Sequence, residues 1–251
     1  METFTLTRKE ISGLLRCLQG HSEKTPLQVL QQAWASRHQQ DLEAGTSFAA
    51  FVSTALPSIF TKLIKTQPVH HLSLHDIVAL GNQIEYTTFS ITSVQNWVKR
   101  DFKEMLVKNK KGRKYCVNQI ALLFMIEDFK TNLDFESIRG LFRAVFGDFR
   151  TDEDDLLEPV DIYAIYANMA EEIETDKTQH MEQVIRNKAD RFVHSLVHLN
   201  EEQKEAVRNM IMIGVISIQT AFCQHLAKQY INATLFLQHL HKGKGLKKHK
   251  R

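Results

Sequence analysis

Between Lys99 and Lys114 the chain carries eight basic residues, Lys99, Arg100, Lys103, Lys108, Lys110, Lys111, Arg113 and Lys114, against only Asp101 and Glu104. Clustered lysine and arginine attract phosphates whatever the base sequence. The cluster begins within ITSVQNWVKR (91–100), which reads as a short helix. Its polar faces hold Thr92, Ser93, Gln95, Asn96, Lys99 and Arg100, and Ile91, Val94, Trp97 and Val98 are left to seat it. Asparagine and glutamine suit adenine edges in the major groove, and arginine suits guanine. A polar helix followed by a basic run is therefore the chemistry of duplex DNA recognition.

The basic run has internal structure. Glu104–Val107 has the apolar, partly β-branched character of a short strand. Lys108–Gly112 has turn chemistry, Gly112 supplying positive φ, and Arg113–Val117 can be the returning strand. A hairpin directly after two helices is a wing. The first of those helices is LSLHDIVALGNQI, with Ser73 three residues before Asp76, and the polar turn EYTTFS separates it from the second, which Ser90 or Thr92 can cap. After the hairpin come NQIALLFMIEDFK and DFESIRGLFRAVF, which Asn118 and Asp134 can cap. The plain alternative is a solvated charged loop, and this order of elements favours the wing over it.

Other chemistry is sparse. His194 and His198 lie four apart, as a metal pair on one helix face does, but no third ligand sits at a telling spacing. His70, His71 and His75 read as surface residues at a helix start. Cys17, Cys116 and Cys223 are odd in number and far apart, so neither a disulfide framework nor a zinc ribbon is expected. No phosphate loop, nucleophile elbow or zinc-protease helix occurs. The expectation is a protein that is not an enzyme and has neither cofactor nor metal.

The elements that must position these residues are mostly helical. With four prolines and ten glycines in 251 residues, and apolar residues recurring every three or four positions, helices are expected near 6–19, capped at Thr5 or Thr7, at 26–40, and at 47–65 with a bend at Pro57. Pro68 marks a boundary. Residues 148–158 set six acidic side chains against Arg150 and read as a solvated linker. Residues 159–241 are helical again, and the pattern at 203–241 keeps its apolar step throughout. Its first half is apolar nearly all round, which calls for cover on both sides. Its most apolar stretch, MIMIGVISI at 210–218, falls short of the roughly 20 residues that cross a bilayer. The resulting division is a helical segment 1–71, a DNA-binding unit 72–147, a linker 148–158, a helical domain 159–241 and a basic disordered tail 242–251. A formal charge of +3, no signal-peptide pattern and no membrane span place the chain in the cytoplasm of a reducing interior.

The order of helix, turn, SVQNWVKR helix, basic KNKKGRKY hairpin and two further helices resembles the MerR-like winged helix-turn-helix superfamily. More narrowly, FVSTALPSIF, DIVALGNQIEYTTFSITSVQNWVKRD, GRKY and DFESIR are similar to the bacterial domain of unknown function 1836 family, over most of residues 1–170. That resemblance implies a mainly α fold with a small β-hairpin wing, and a transcriptional regulator. Lys99, Arg100, Arg113 and Tyr115 fall on positions of the family pattern, which adds Tyr115 to the DNA contacts. The chain departs from it in two places: Arg113 replaces the aromatic that usually follows the wing glycine, and Asn96-Trp97 replaces paired tyrosines. The turn EYTTFS is also longer than usual.

The reading is a sequence-specific DNA-binding regulator that acts on double-stranded DNA as a homodimer and answers to an unidentified effector. The alternative is a helical adaptor whose winged helix binds a protein partner.

Overall fold

The computed structural model describes residues 2–65, 71–106, 114–147, 157–175 and 181–245. Among the described residues, four two- or three-residue strands and thirteen α-helices follow one another. They are β1 (Glu2–Thr3), α1 (Arg8–Gln19), α2 (Pro26–Arg37), α3 (Gln39–Glu43), α4 (Ser47–Ser53), β2 (Thr54–Ala55), α5 (Ser58–Lys65), β3 (His71–Ser73), α6 (Leu74–Gly81), α7 (Ile91–Asn96), α8 (Lys103–Leu106), β4 (Lys114–Cys116), α9 (Val117–Phe129), α10 (Phe135–Phe146), α11 (Pro159–Thr175), α12 (Met181–His194) and α13 (Glu201–Gly245). A π-helical segment, Trp97–Asp101, continues α7.

Local signals account for most starts. Thr7 with Glu10, Thr25 with Gln28 and Ser73 with Asp76 form reciprocal capping boxes on α1, α2 and α6. Asp134 accepts from the Ser137 amide at 2.7 Å and caps α10. The expected helix over 47–65 is interrupted before Pro57, giving α4, β2 and α5. Asn118 is not the cap of α9; Cys116 holds that position, its amide donating to Gln119 Oε1 at 3.1 Å.

Of the expected strand Glu104–Val107, the described residues 104–106 are instead helical, within Lys103–Leu106. The reason lies one residue upstream. Phe102, Met105 and Leu106 are all buried, at a helical three-and-four spacing, and the amides of Met105 and Leu106 bond back to the Phe102 carbonyl. The returning strand does form, as β4, and pairs antiparallel with β3, bringing Leu72 opposite Tyr115 and Ser73 opposite Lys114. Residues 107–113, which hold the expected turn Lys108–Gly112 with Val107 and Arg113 beside it, lie outside the described residues, as do 148–156 of the acidic linker.

One buried cluster runs from Phe4 to Ile218. At its centre is α9, in which nearly every side chain is buried and which packs against α1, α11 and α13 as well as β3 and β4. A buried ion pair ties these parts together. Arg8 on α1 donates from Nε and Nη2 to Asp128 Oδ1 on α9, at 2.9 and 2.8 Å, and from Nη1 to the Glu85 carbonyl at 2.9 Å. Tyr166 on α11 donates to Asp128 Oδ2 at 2.9 Å. Gly214 on α13 lies flat against the Tyr166 ring, leaving no room for a Cβ.

The long helix extends to Gly245, beyond the expected end at 241, and residues 246–251 lie outside the described residues. Val207, Met210, Ile211, Val215 and Ile218 are buried, packed with α11 and α12, whereas Ile216 on the other side is 40% exposed. Helices α9 and α10 pack against this half as well, so the expected cover is present except along the side of Ile216. Beyond Ile218 the same stripe continues into the open, with Phe222, Leu226, Tyr230 and Leu237 exposed. By length and composition alone, Glu201–Leu237 meets the requirement for crossing a membrane, although a third of its most apolar window is buried in protein. His194 ends α12 and His198 lies beyond it, so the two do not share a helix face.

Candidate nucleic-acid interface

The polar helix is positioned by its own apolar residues. Val94, Trp97 and Val98 are buried, while Thr92, Asn96, Lys99 and Arg100 are exposed and Ser93 and Gln95 are half-buried. The shift from α- to π-helical geometry at Trp97 keeps the indole against Phe89 and Phe135 and places Lys130 Nζ 5.3 Å from its ring centre. Ile91 is only half-buried, so three anchors rather than four seat the helix.

The long turn from α6 to α7 is held on several sides. Phe89 N donates to Asn82 Oδ1 at 2.8 Å, and Asn82 Nδ2 donates to the Phe89 carbonyl at 3.1 Å. The Phe89 ring covers Gly81, where a Cβ would come within 2.5 Å of it. Leu6 donates to the Gln83 carbonyl at 2.7 Å and accepts from Glu85 N at 3.0 Å. Tyr86 takes a positive φ of 63° and turns its ring onto Phe222 and His225 of α13. The turn is therefore braced by both ends of the chain.

Lys103 and Lys114 are exposed beside this helix. Two arginines that the basic run did not include join them: Arg139 and Arg143 on α10, four apart and so on one face. Arg139 Nη1 donates to the Asp101 carbonyl at 3.0 Å, and Arg143 Nη2 pairs with Glu104 Oε2 at 3.1 Å. Arg100 pairs with Asp101 at 2.8 Å, a hydrogen bond that raises the pKa of the guanidinium. With Lys103 these residues line a cavity of about 420 Å³. Their spacing in DFESIRGLFR was the signal for them, since it puts both cations on the side facing Asp101 and Glu104.

Tyr115, expected among the phosphate contacts, is 2% exposed. Strand alternation explains the difference: Lys114 faces solvent, so Tyr115 must face inward, opposite buried Leu72. Burial pushes its phenol pKa up. It forms one wall of a cleft of about 540 Å³ with Ser73, His75, Gln95 and Lys99. Lys108, Lys110, Lys111 and Arg113 lie outside the described residues. Among the described residues no group of three or more histidine, cysteine or acidic side chains is arranged to hold a metal, and the three cysteines are free.

The family model for the domain of unknown function DUF1836 matches residues 62–168, from α5 through the polar helix to the middle of α11. The uncharacterized protein YkrK of Bacillus subtilis (strain 168) is 30% identical over 237 residues, spanning 90% of this chain and 97% of the relative. No solved structure matches. The mainly helical chain, with its small antiparallel sheet and its exposed polar helix, belongs to the DUF1836 family.

Proposed function

We propose that the protein is a DNA-binding transcription regulator of MerR-like winged-helix type, with α7 entering the major groove and the segment between α8 and β4 gripping phosphates. The observation that carries this reading is the division of the polar helix into a buried face of Val94, Trp97 and Val98 and an exposed face of Thr92, Asn96, Lys99 and Arg100. A helix whose polar side served the protein's own packing would bury that side instead. The arginines at 139 and 143 widen the cationic surface next to it. In the same reading two chains pair through the exposed distal part of α13, so that two helices meet a two-fold site.

Fluorescence anisotropy with duplex DNA tests it. Binding should be salt-sensitive, falling by roughly 10³–10⁵ between 50 and 200 mM salt if six to ten phosphates are contacted. Changing Lys110, Lys111 and Arg113 to Glu should abolish it. Asn96→Ala should keep the non-specific affinity and lose sequence preference. Wild-type protein without salt-sensitive duplex binding at low ionic strength would sink the proposal and favour the adaptor alternative.

A further inference from the structure

A cleft of about 510 Å³ opens between α2 and the α4–α5 segment, with the buried Phe4 and Leu30 in its lining. Its walls are Phe4, Leu30, Trp34, Phe51, Thr54 and Ile64, drawn from the N-terminal strand region, α2, α4, β2 and α5. Leu27 and Val52 stand at its lining too, 43% and 59% exposed. We infer that this cleft is a binding site for an uncharged, apolar small molecule, a role separate from DNA recognition.

Three observations carry the inference. The volume falls within the roughly 300–1,000 Å³ of small-molecule sites. None of the described residues that line the cleft carries a charge; its polar side chains are Gln31, exposed at the lining, and Thr54, whose hydroxyl is already engaged. Trp34 Nε1 donates to Thr54 Oγ1 at 3.2 Å, and that hydroxyl donates to the Ala50 carbonyl at 2.9 Å. A charged or strongly polar ligand would therefore lose its hydration with little in return. Lastly, the segment over the cleft has its apolar side chains unburied. Neither α3 nor α4 contains a buried residue, and Phe48 and Phe51 are 79% and 65% exposed. The segment is fastened by the two-residue β1–β2 ladder and by Phe51 set edge-on to Trp34, with ring centres 6.1 Å apart. An apolar molecule seated between Trp34, Phe51 and Ile64 supplies the missing contact area.

The test is a titration of the full chain with N-phenyl-1-naphthylamine, an uncharged apolar fluorophore. A single saturable site is expected, weakened about tenfold or more by Leu27→Glu and by Val52→Glu, since each puts a charge at the apolar lining. Both positions are exposed, and a glutamate in the first turn of α2 favours that helix, so the variants should fold. Leu226→Glu, on the exposed stripe of α13, should leave the affinity unchanged. Absence of saturable binding overturns the inference. So does loss of binding in Leu226→Glu with retention in both cleft variants, which would place the probe on α13. Neither readout involves DNA, so failure of the regulator reading leaves this result interpretable.

Discussion

Arg8 occupies the first turn of its helix, where a basic side chain is ordinarily unfavourable, and reaches the middle of the molecule. Burial opposes its charge, yet the contact with Asp128 outweighs that and raises its pKa further. Removing one partner leaves the other charge stranded. Arg8→Ala should therefore cost about 3–5 kcal/mol in urea unfolding. Replacing both, Arg8→Met with Asp128→Leu, should recover a large part of that loss; an equal loss in the double variant would refute the pairing as the cause. Nothing near Arg8 signals this role, because its acidic partner is 120 positions away. By contrast, the sorting of Thr92, Asn96, Lys99 and Arg100 from Val94, Trp97 and Val98 was legible, since it depends only on helical period.

Helix ends were equally legible where cap and partner lie within three residues, as at Thr7, Ser73 and Asp134. Strand pairing was not. The choice of His71–Ser73 as partner for Lys114–Cys116 joins residues more than forty positions apart, and Glu104–Leu106 turned helical because Phe102 offered a packing partner on a helical step. The start of α6 has a further consequence. Burial alone would raise the Asp76 carboxyl, but hydrogen bonds from Lys62 and Ser73 outweigh it and hold its pKa below the ordinary value. The folded state thus stabilises the ionised form. Its contribution is complete above the unfolded-state pKa, near 4, and disappears as pH falls through the lower folded-state value. Thermal unfolding from pH 6 downward should show a loss in that window that is smaller in Asp76→Asn, and Ser73→Ala should cost about 1 kcal/mol at neutral pH. Identical acid sensitivity in wild type and Asp76→Asn would exclude this carboxylate as the cause.

On the scale of the whole molecule, the exposed length of α13 is the surface through which the proposed pairing of two chains would run. Between Gln219 and Leu237 it carries a single formal charge, Lys228, and no acidic residue, so two copies can lie side by side at little electrostatic cost. If they do, sedimentation velocity should give a dimer for the wild type and a monomer for Leu226→Glu with Tyr230→Glu; an unchanged sedimentation coefficient would remove this surface from the assembly. The root of that arm touches Tyr86 in the turn before α7, so the proposed pairing and the proposed groove contact would share one bracket. The central position of α9 bears on how such a protein can be rearranged. Because its sides are shared among β3 and β4, α1, α11 and α13, a recombinant swap cut at the edges of the polar-helix unit would carry away a helix still wanting three partners. Successful chimeras, whether built in the laboratory or by gene fusion, should keep those helices as one inherited block and vary α7 in place.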